Sequence, residues 1–288
     1  MRVLLAAGWI VAGLGCSSSL APSLDRPPAS GWPSSEIGGD VDTRVVGIEP
    51  DPIQLPENAL RLTVLFNAPV ARESEVMNAI RLVDLATGET VPNAFLNLEN
   101  PLLDRSQSRL TLVFNPGWIK RGVQERKSEA PLKSGKSYAL DVSSRLRDTQ
   151  GDRLRGSYRH RFSVGPPLRQ HVALEAWELT LPTPGTRGYL VVGFDRVMDP
   201  LQSRERIRIV NPKGSRLTIE ADGEGSGLRV NSPEPWLAGS YRIIVHPELE
   251  DVAGNRPQRA FDASSAPNNH VLERRFALPR RPEGVAVK

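Results

Sequence analysis

One cysteine, Cys16, stands in 288 residues, which excludes an intramolecular disulfide framework and any zinc site built from several cysteines. Histidine is scarce too: His160, His171, His246 and His270 form no HxH or HExxH spacing, so no metal set is expected. Beyond the N-terminus no apolar run approaches the roughly 18 residues that span a bilayer. A G-x-S-x-G elbow is missing, which removes the commonest serine-hydrolase signature. Gly223, Gly225 and Gly227 are not followed by a helix pattern or by Gly-Lys-Ser/Thr, and they read as a flexible hairpin rather than a phosphate loop. Neither sign of charge dominates. Lys plus Arg number 37 against 33 acids, giving a net charge of +4 and a pI near 9.4. A basic pI invites a nucleic-acid reading. However, Arg61, Arg206, Arg208, Arg229 and Arg242 alternate with apolar residues or sit in turns, as on the solvated face of a strand. Nucleic acid is therefore not an expected partner, and no cofactor is implied.

What is present begins at the N-terminus. Met1-Arg2 is a minimal positive region, and Val3 to Leu14 are apolar or small, the length of a signal h-region. Gly13-Leu14-Gly15-Cys16 then precedes Ser17-Ser18-Ser19. This resembles a bacterial lipoprotein signal, which implies that residues 1–15 are removed and that Cys16 carries the lipid. Gly13 departs from the aliphatic residue usual three positions before the cysteine. By the same resemblance, Ser17 favours the outer membrane, so the expected location is the cell envelope, lipid-anchored. Residues 16–43 are rich in Ser and Pro with few apolar residues, and they read as a disordered tether.

From residue 44 the chain is built of short alternating runs separated by turn residues. Leu60, Leu62, Val64 and Phe66 fall on one face at period two. Ile80–Val83, Leu110–Phe114, Tyr138–Val142 and Arg161–Val164 continue the series. Helical turns are expected only around 73–78 and 199–204. The same order recurs downstream in Tyr189–Asp195, Ile207–Val210, Leu228–Val230, Tyr241–Val245 and Arg275–Leu278. Tyr138 stands ten residues before Asp148, and Tyr241 stands ten before Asp251. Such a repeat means two copies of one domain. The expectation is an all-β chain: residues 44–165 and 166–288 as tandem antiparallel sandwiches, after the signal peptide and the tether.

The repeated motifs carry a second resemblance. Phe66-Asn67-Ala68-Pro69 and Phe194-Asp195-Arg196-Val197-Met198 end an apolar strand. Leu132, Gly135 and Tyr138 then precede Asp148-Thr149-Gln150-Gly151-Asp152, and Leu237, Gly239 and Tyr241 precede Asp251-Val252-Ala253-Gly254-Asn255. Each copy resembles the bacterial immunoglobulin-like domain of S-layer and other surface proteins. That implies an immunoglobulin-like fold; the expected role is a non-catalytic structural, adhesive or assembly module in the envelope, with a polysaccharide- or envelope-ligand-binding module as the alternative and an accessory part of an enzyme behind it.

Candidate sites are few. The Asp148 and Asp251 turns offer two or three carboxylate or amide ligands where calcium needs about six to eight, so they read as plain turns. Glu248 and Glu250 form an unsupported acid pair, and His160, between two arginines, reads as exposed. Copy one has 28 residues from Leu110 to Tyr138 where copy two has 13 from Leu228 to Tyr241. The insertion carries Lys120, Arg121, Arg126 and Lys127, a candidate partner surface for an envelope protein or polysaccharide. Trp118 and Trp236, each eight residues after the equivalent leucine, are contact candidates if exposed and packing residues if not.

Overall fold

The computed structural model describes residues 42–51, 54–72, 74–96, 98, 100–115, 130–222, 224–259, 261 and 270–280. The predicted signal, Cys16, nearly all of the tether, Trp118, Lys120, Arg121, Arg126 and Lys127 lie outside them.

The first run of strands comprises β1 (Val45–Glu49), β2 (Gln54–Pro56), β3 (Arg61–Phe66), β4 (Ile80–Asp84), β5 (Leu102–Leu103), β6 (Arg109–Val113), β7 (Ser137–Val142) and β8 (Tyr158–Gly165). They form two four-stranded sheets, in the orders β1-β3-β6-β5 and β2-β8-β7-β4. The second run comprises β9 (Glu178–Thr180), β10 (Leu190–Gly193), β11 (Ile207–Val210), β12 (Thr218–Ala221), β13 (Gly227–Asn231), β14 (Gly239–Val245) and β15 (Leu272–Leu278). Its sheets run β12-β13-β10-β9 and β11-β14-β15. Named A to G in chain order, the second set is the ABED and CFG pair of an immunoglobulin sandwich. The first set is the same pair with strand A split between the sheets. The chain is thus all-β and immunoglobulin-like. Among the named strands one pairing is parallel, β2 on β8, because a strand A that crosses to the other sheet runs beside strand G in its direction.

Alternation explains the elements. In β3, Leu62, Val64 and Phe66 are buried while Arg61, Thr63 and Leu65 are half-buried. Two separate cores result. One gathers buried residues from Val45 to Val164, the other from Val172 to Leu278. Each fully buried large side chain contributes on the order of 1.5–3 kcal/mol relative to exposure. The expected helical turns are a 3₁₀ turn at Ser74–Ala79 and α1 (Pro200–Arg206). Asp199 caps α1 by accepting the Gln202 N–H at 3.0 Å, and Pro200 starts it, where its missing N–H costs nothing.

The repeat extends into side-chain bonding. The Tyr138 hydroxyl accepts the Lys133 N–H at 3.1 Å, and the Tyr241 hydroxyl accepts the Leu237 N–H at 3.0 Å. Both are the tyrosine corner that ties strand F to the chain entering it. Asp104 Oδ1 accepts the Ser108 N–H at 3.0 Å, and Asp222 Oδ1 accepts the Ser226 N–H at 2.9 Å. These matching turns lie between strands D and E of the two sandwiches. At Gly225, with φ +76°, a Cβ would stand 2.3 Å from the Met198 carbonyl oxygen.

Candidate functional site

The residues that carry the most chemistry meet where the two sandwiches touch. The backbone makes the first contact: the Leu60 N–H donates to the Val252 carbonyl at 2.8 Å. Asn58 reads the connecting backbone with both ends of its amide. Its nitrogen donates to the Leu168 carbonyl at 2.7 Å, and its oxygen accepts the Leu168 N–H at 2.9 Å. Arg61, at the start of β3, donates through Nε to Asp199 at 2.9 Å and through Nη2 to Glu250 at 3.4 Å. Arg204 of α1 crosses back to Glu49 at 3.4 Å, where Arg109 also binds. The Asp199 and Glu250 side chains are 16% exposed and that of Arg61 29%. This network is therefore screened less than a surface pair.

Both acids are fixed from behind. Asp199 is the cap of α1, and Glu250 accepts two bonds from Arg256, at 3.0 and 2.8 Å. A cleft of about 280 Å³ at this junction is lined by Glu49, Arg61, Arg109, Asp199 and Gln202, among others. Each of its carboxylates is paired with a guanidinium, an arrangement that holds surfaces together rather than moving protons.

The Asp-x-x-Gly turns settle at opposite places with the same internal bonding. Asp148 Oδ1 accepts the N–H groups of Gln150 and Asp152 at 2.9 and 3.0 Å, and its Oδ2 accepts the Thr43 hydroxyl at 2.9 Å. Asp251 Oδ1 accepts those of Ala253 and Asn255, both at 2.9 Å, and its Oδ2 accepts the Asn255 amide at 2.9 Å. Both oxygens of each aspartate are occupied by donors, which makes them turn-formers. Burial raises the Asp251 carboxyl above the ordinary carboxylate range, against the pull of Asn255, Ala253 and Arg196. Gly254, at φ +80°, lets the second turn approach the first sandwich. A Cβ there would stand 2.6 Å from Leu60 Cδ1.

Several expectations change. Arg61 is not on a solvated face; it is the hinge-pin of the junction. Trp236 is 1% exposed, packs at 5.3 Å from the Tyr241 ring and donates Nε1–H to the Gly188 carbonyl at 2.6 Å. It is a core residue of the second sandwich and is withdrawn as a partner contact. His160 faces inward in β8 and stacks on Phe162 at 6.1 Å. Desolvation lowers its pKa below the ordinary 6.5, opposed by Asp51, whose carboxylate lies 3.5 Å away. Glu248 is bound by Arg206 at 2.7 Å, and that bond holds its carboxyl below the ordinary range. A glycosidase acid needs the opposite shift. Among the described residues no three His, Cys, Asp or Glu side chains cluster as a metal set, and no helix is long and apolar enough to cross a membrane.

No family model matches the chain, and no curated protein matches it. Among solved structures it is similar to the N-terminal part of the bacterial S-layer protein SbsC, at 11% identity and a TM-score of 0.32, over 83% of this chain and 44% of that one. It is also similar to Escherichia coli alpha-2-macroglobulin spanning domains MG0-NIE-MG1, at 13% identity and 0.29, over 82% and 71%. A third similarity is to the N-terminal four Ig domains of Dscam1, at 12% identity and 0.26, over 82% and 51%. The chain spans less than half the length of the S-layer fragment. The immunoglobulin-like assignment rests on the strand orders of the two sandwiches.

Proposed function

We propose that this chain is a non-catalytic, lipid-anchored envelope protein whose paired sandwiches serve as a structural, adhesive or assembly module. Cys16 carries the anchor, and the Ser/Pro segment of residues 16–43 holds the body off the membrane, which on this reading is the outer membrane. The inserted segment bearing Trp118, Lys120, Arg121, Arg126 and Lys127 is the docking surface for an envelope partner. The junction is the observation that carries the reading. Asp199 and Glu250 are both bound by Arg61, which ties the two sandwiches to each other. A module of this kind transmits position rather than turning over substrate.

The test is in-cell crosslinking and pull-down of the tagged full-length chain, beside a chain lacking residues 119–130 and a Cys16→Ser chain. The expected result is membrane recovery with incorporated fatty acid, lost in Cys16→Ser, and one near-stoichiometric partner lost with the loop deletion. A Cys16→Ser chain that stays membrane-bound to the same extent overturns the anchor. Full partner recovery without the loop overturns the docking surface.

A further inference from the structure

One end of the β2-β8-β7-β4 sheet carries a groove that the junction does not use. Strand register places Arg81, Asp141 and Arg159 side by side across β4, β7 and β8. Arg159 takes both oxygens of Asp141, through Nε and Nη2 at 2.6 Å each. That fork satisfies the only acid in the row and leaves Arg81 without one. Arg145, in the turn after β7, likewise has no acid at ion-pair distance among the described residues. Together with Tyr158, Ser143 and Ser157 these side chains line a cavity of about 450 Å³, within the size range of small-molecule sites.

A second cavity of about 250 Å³ shares Asn78, Ala79 and Arg145 with the first and adds Arg147. The two cavities adjoin at these shared residues, Arg145 among them. The Tyr158 hydroxyl, in the larger cavity, makes no hydrogen bond among the described residues. Burial and the nearby Asp51 charge raise its pKa, which keeps it a neutral donor.

A guanidinium presents a planar fork of N–H donors that matches carboxylate and phosphate oxygens. Two such forks without acids, beside hydroxyl and amide groups, suit a ligand with both negative charges and many hydroxyls. None of the large exposed apolar side chains lines the groove, so nothing there would enter a bilayer. Two adjoining cavities fit a ligand of several sugar units better than a lone ion. We propose that this groove binds an acidic polysaccharide, with Arg81 and Arg145 holding its carboxylate or phosphate groups and Tyr158 facing a sugar. The site deepens the envelope reading by naming a partner class, but it stands on this geometry and is testable without any anchor.

The experiment is titration calorimetry on the full-length Cys16→Ser chain at low salt. The probes are oligogalacturonate for carboxylate, phosphorylated dextran for phosphate, neutral dextran, and vesicles of phosphatidylglycerol. One or both acidic glycans bind, more weakly as salt rises, and neutral dextran does not. The R81A/R145A chain loses at least tenfold in affinity, while Arg208→Ala, on the other sandwich, retains it. The glycan also slows amide exchange at residues 141–145 and 157–159, which reads the site without a variant. Equal binding by the double variant, no slowing at those amides, no glycan binding, or binding only of vesicles through the same arginines overturns the proposal. Each outcome leaves the Cys16 anchor unaffected and separately measurable.

Discussion

Replacing Arg61 by alanine separates a docked pair of sandwiches from two that merely adjoin. The guanidinium makes two charge-assisted bonds, at 2.9 Å to Asp199 and 3.4 Å to Glu250. A hydrogen bond to a charged group contributes about 1.5–3 kcal/mol when shielded. Pairs open to water contribute about 0.2–1 kcal/mol. The second contact is long and Arg61 is 29% exposed, so the loss should fall near 1–2 kcal/mol. Glu250 keeps its two bonds from Arg256, whereas Asp199 is left with no guanidinium partner among the described residues.

In a cooperative body of this size each kcal/mol moves the melting temperature by roughly 2–4 °C. Calorimetry of Arg61→Ala should therefore show a midpoint lower by about 2–8 °C, or one transition splitting into two as the sandwiches uncouple. Arg208→Ala is the control, since Arg208 is exposed on β11 and makes no ion pair among the described residues. An Arg61→Ala trace superimposable on that of Arg208→Ala would refute the reasoning, because it would mean the junction bonds contribute nothing to coupling.

Further outcomes follow from the same contacts. Gly254→Ala should destabilise more than Gly151→Ala in urea melts. Both sites have φ above +80° or at it, but only at Gly254 does the added Cβ meet Leu60 and Phe261 across the turn, so the difference of about 1–3 kcal/mol is the close approach itself. His160 has a folded pKa below its unfolded value, so the unfolded chain takes up the proton first. Its contribution is complete above pH 6.5 and is lost as pH falls from there through the folded value, and His160→Leu should flatten that acid limb in stability-versus-pH measurements. Ser203 is buried in α1 with an Oγ that has no partner, so Ser203→Ala should leave the melting temperature equal or raise it.

How far the sequence reveals this molecule depends on the range of the interaction. β3, β7 and β14 are legible because their own residues alternate, and period two needs no knowledge of a partner strand. The edge strands β2, β5, β9 and β12 are only two to four residues long, too short for a period to register. Arg61 shows why the junction is hidden. An arginine alternating with leucines looks the same whether it faces water or an acid 138 residues away. The acids that meet it, Asp199 and Glu250, flank the very turns that mark the repeat, so the signal was the charge difference between the two copies. Tryptophan is ambiguous in the same way: Trp236 is placed by the Tyr241 ring it packs on, which composition does not reveal.

The central claim is that the two sandwiches form one docked body. Spin labels at Arg105→Cys and Glu224→Cys, one exposed turn on each sandwich, in a full-length Cys16→Ser chain test it most directly by pulsed dipolar spectroscopy. A single narrow distance distribution that broadens when Arg61→Ala is added is the predicted result. A distribution already broad in the parent, unchanged by Arg61→Ala, would contradict it.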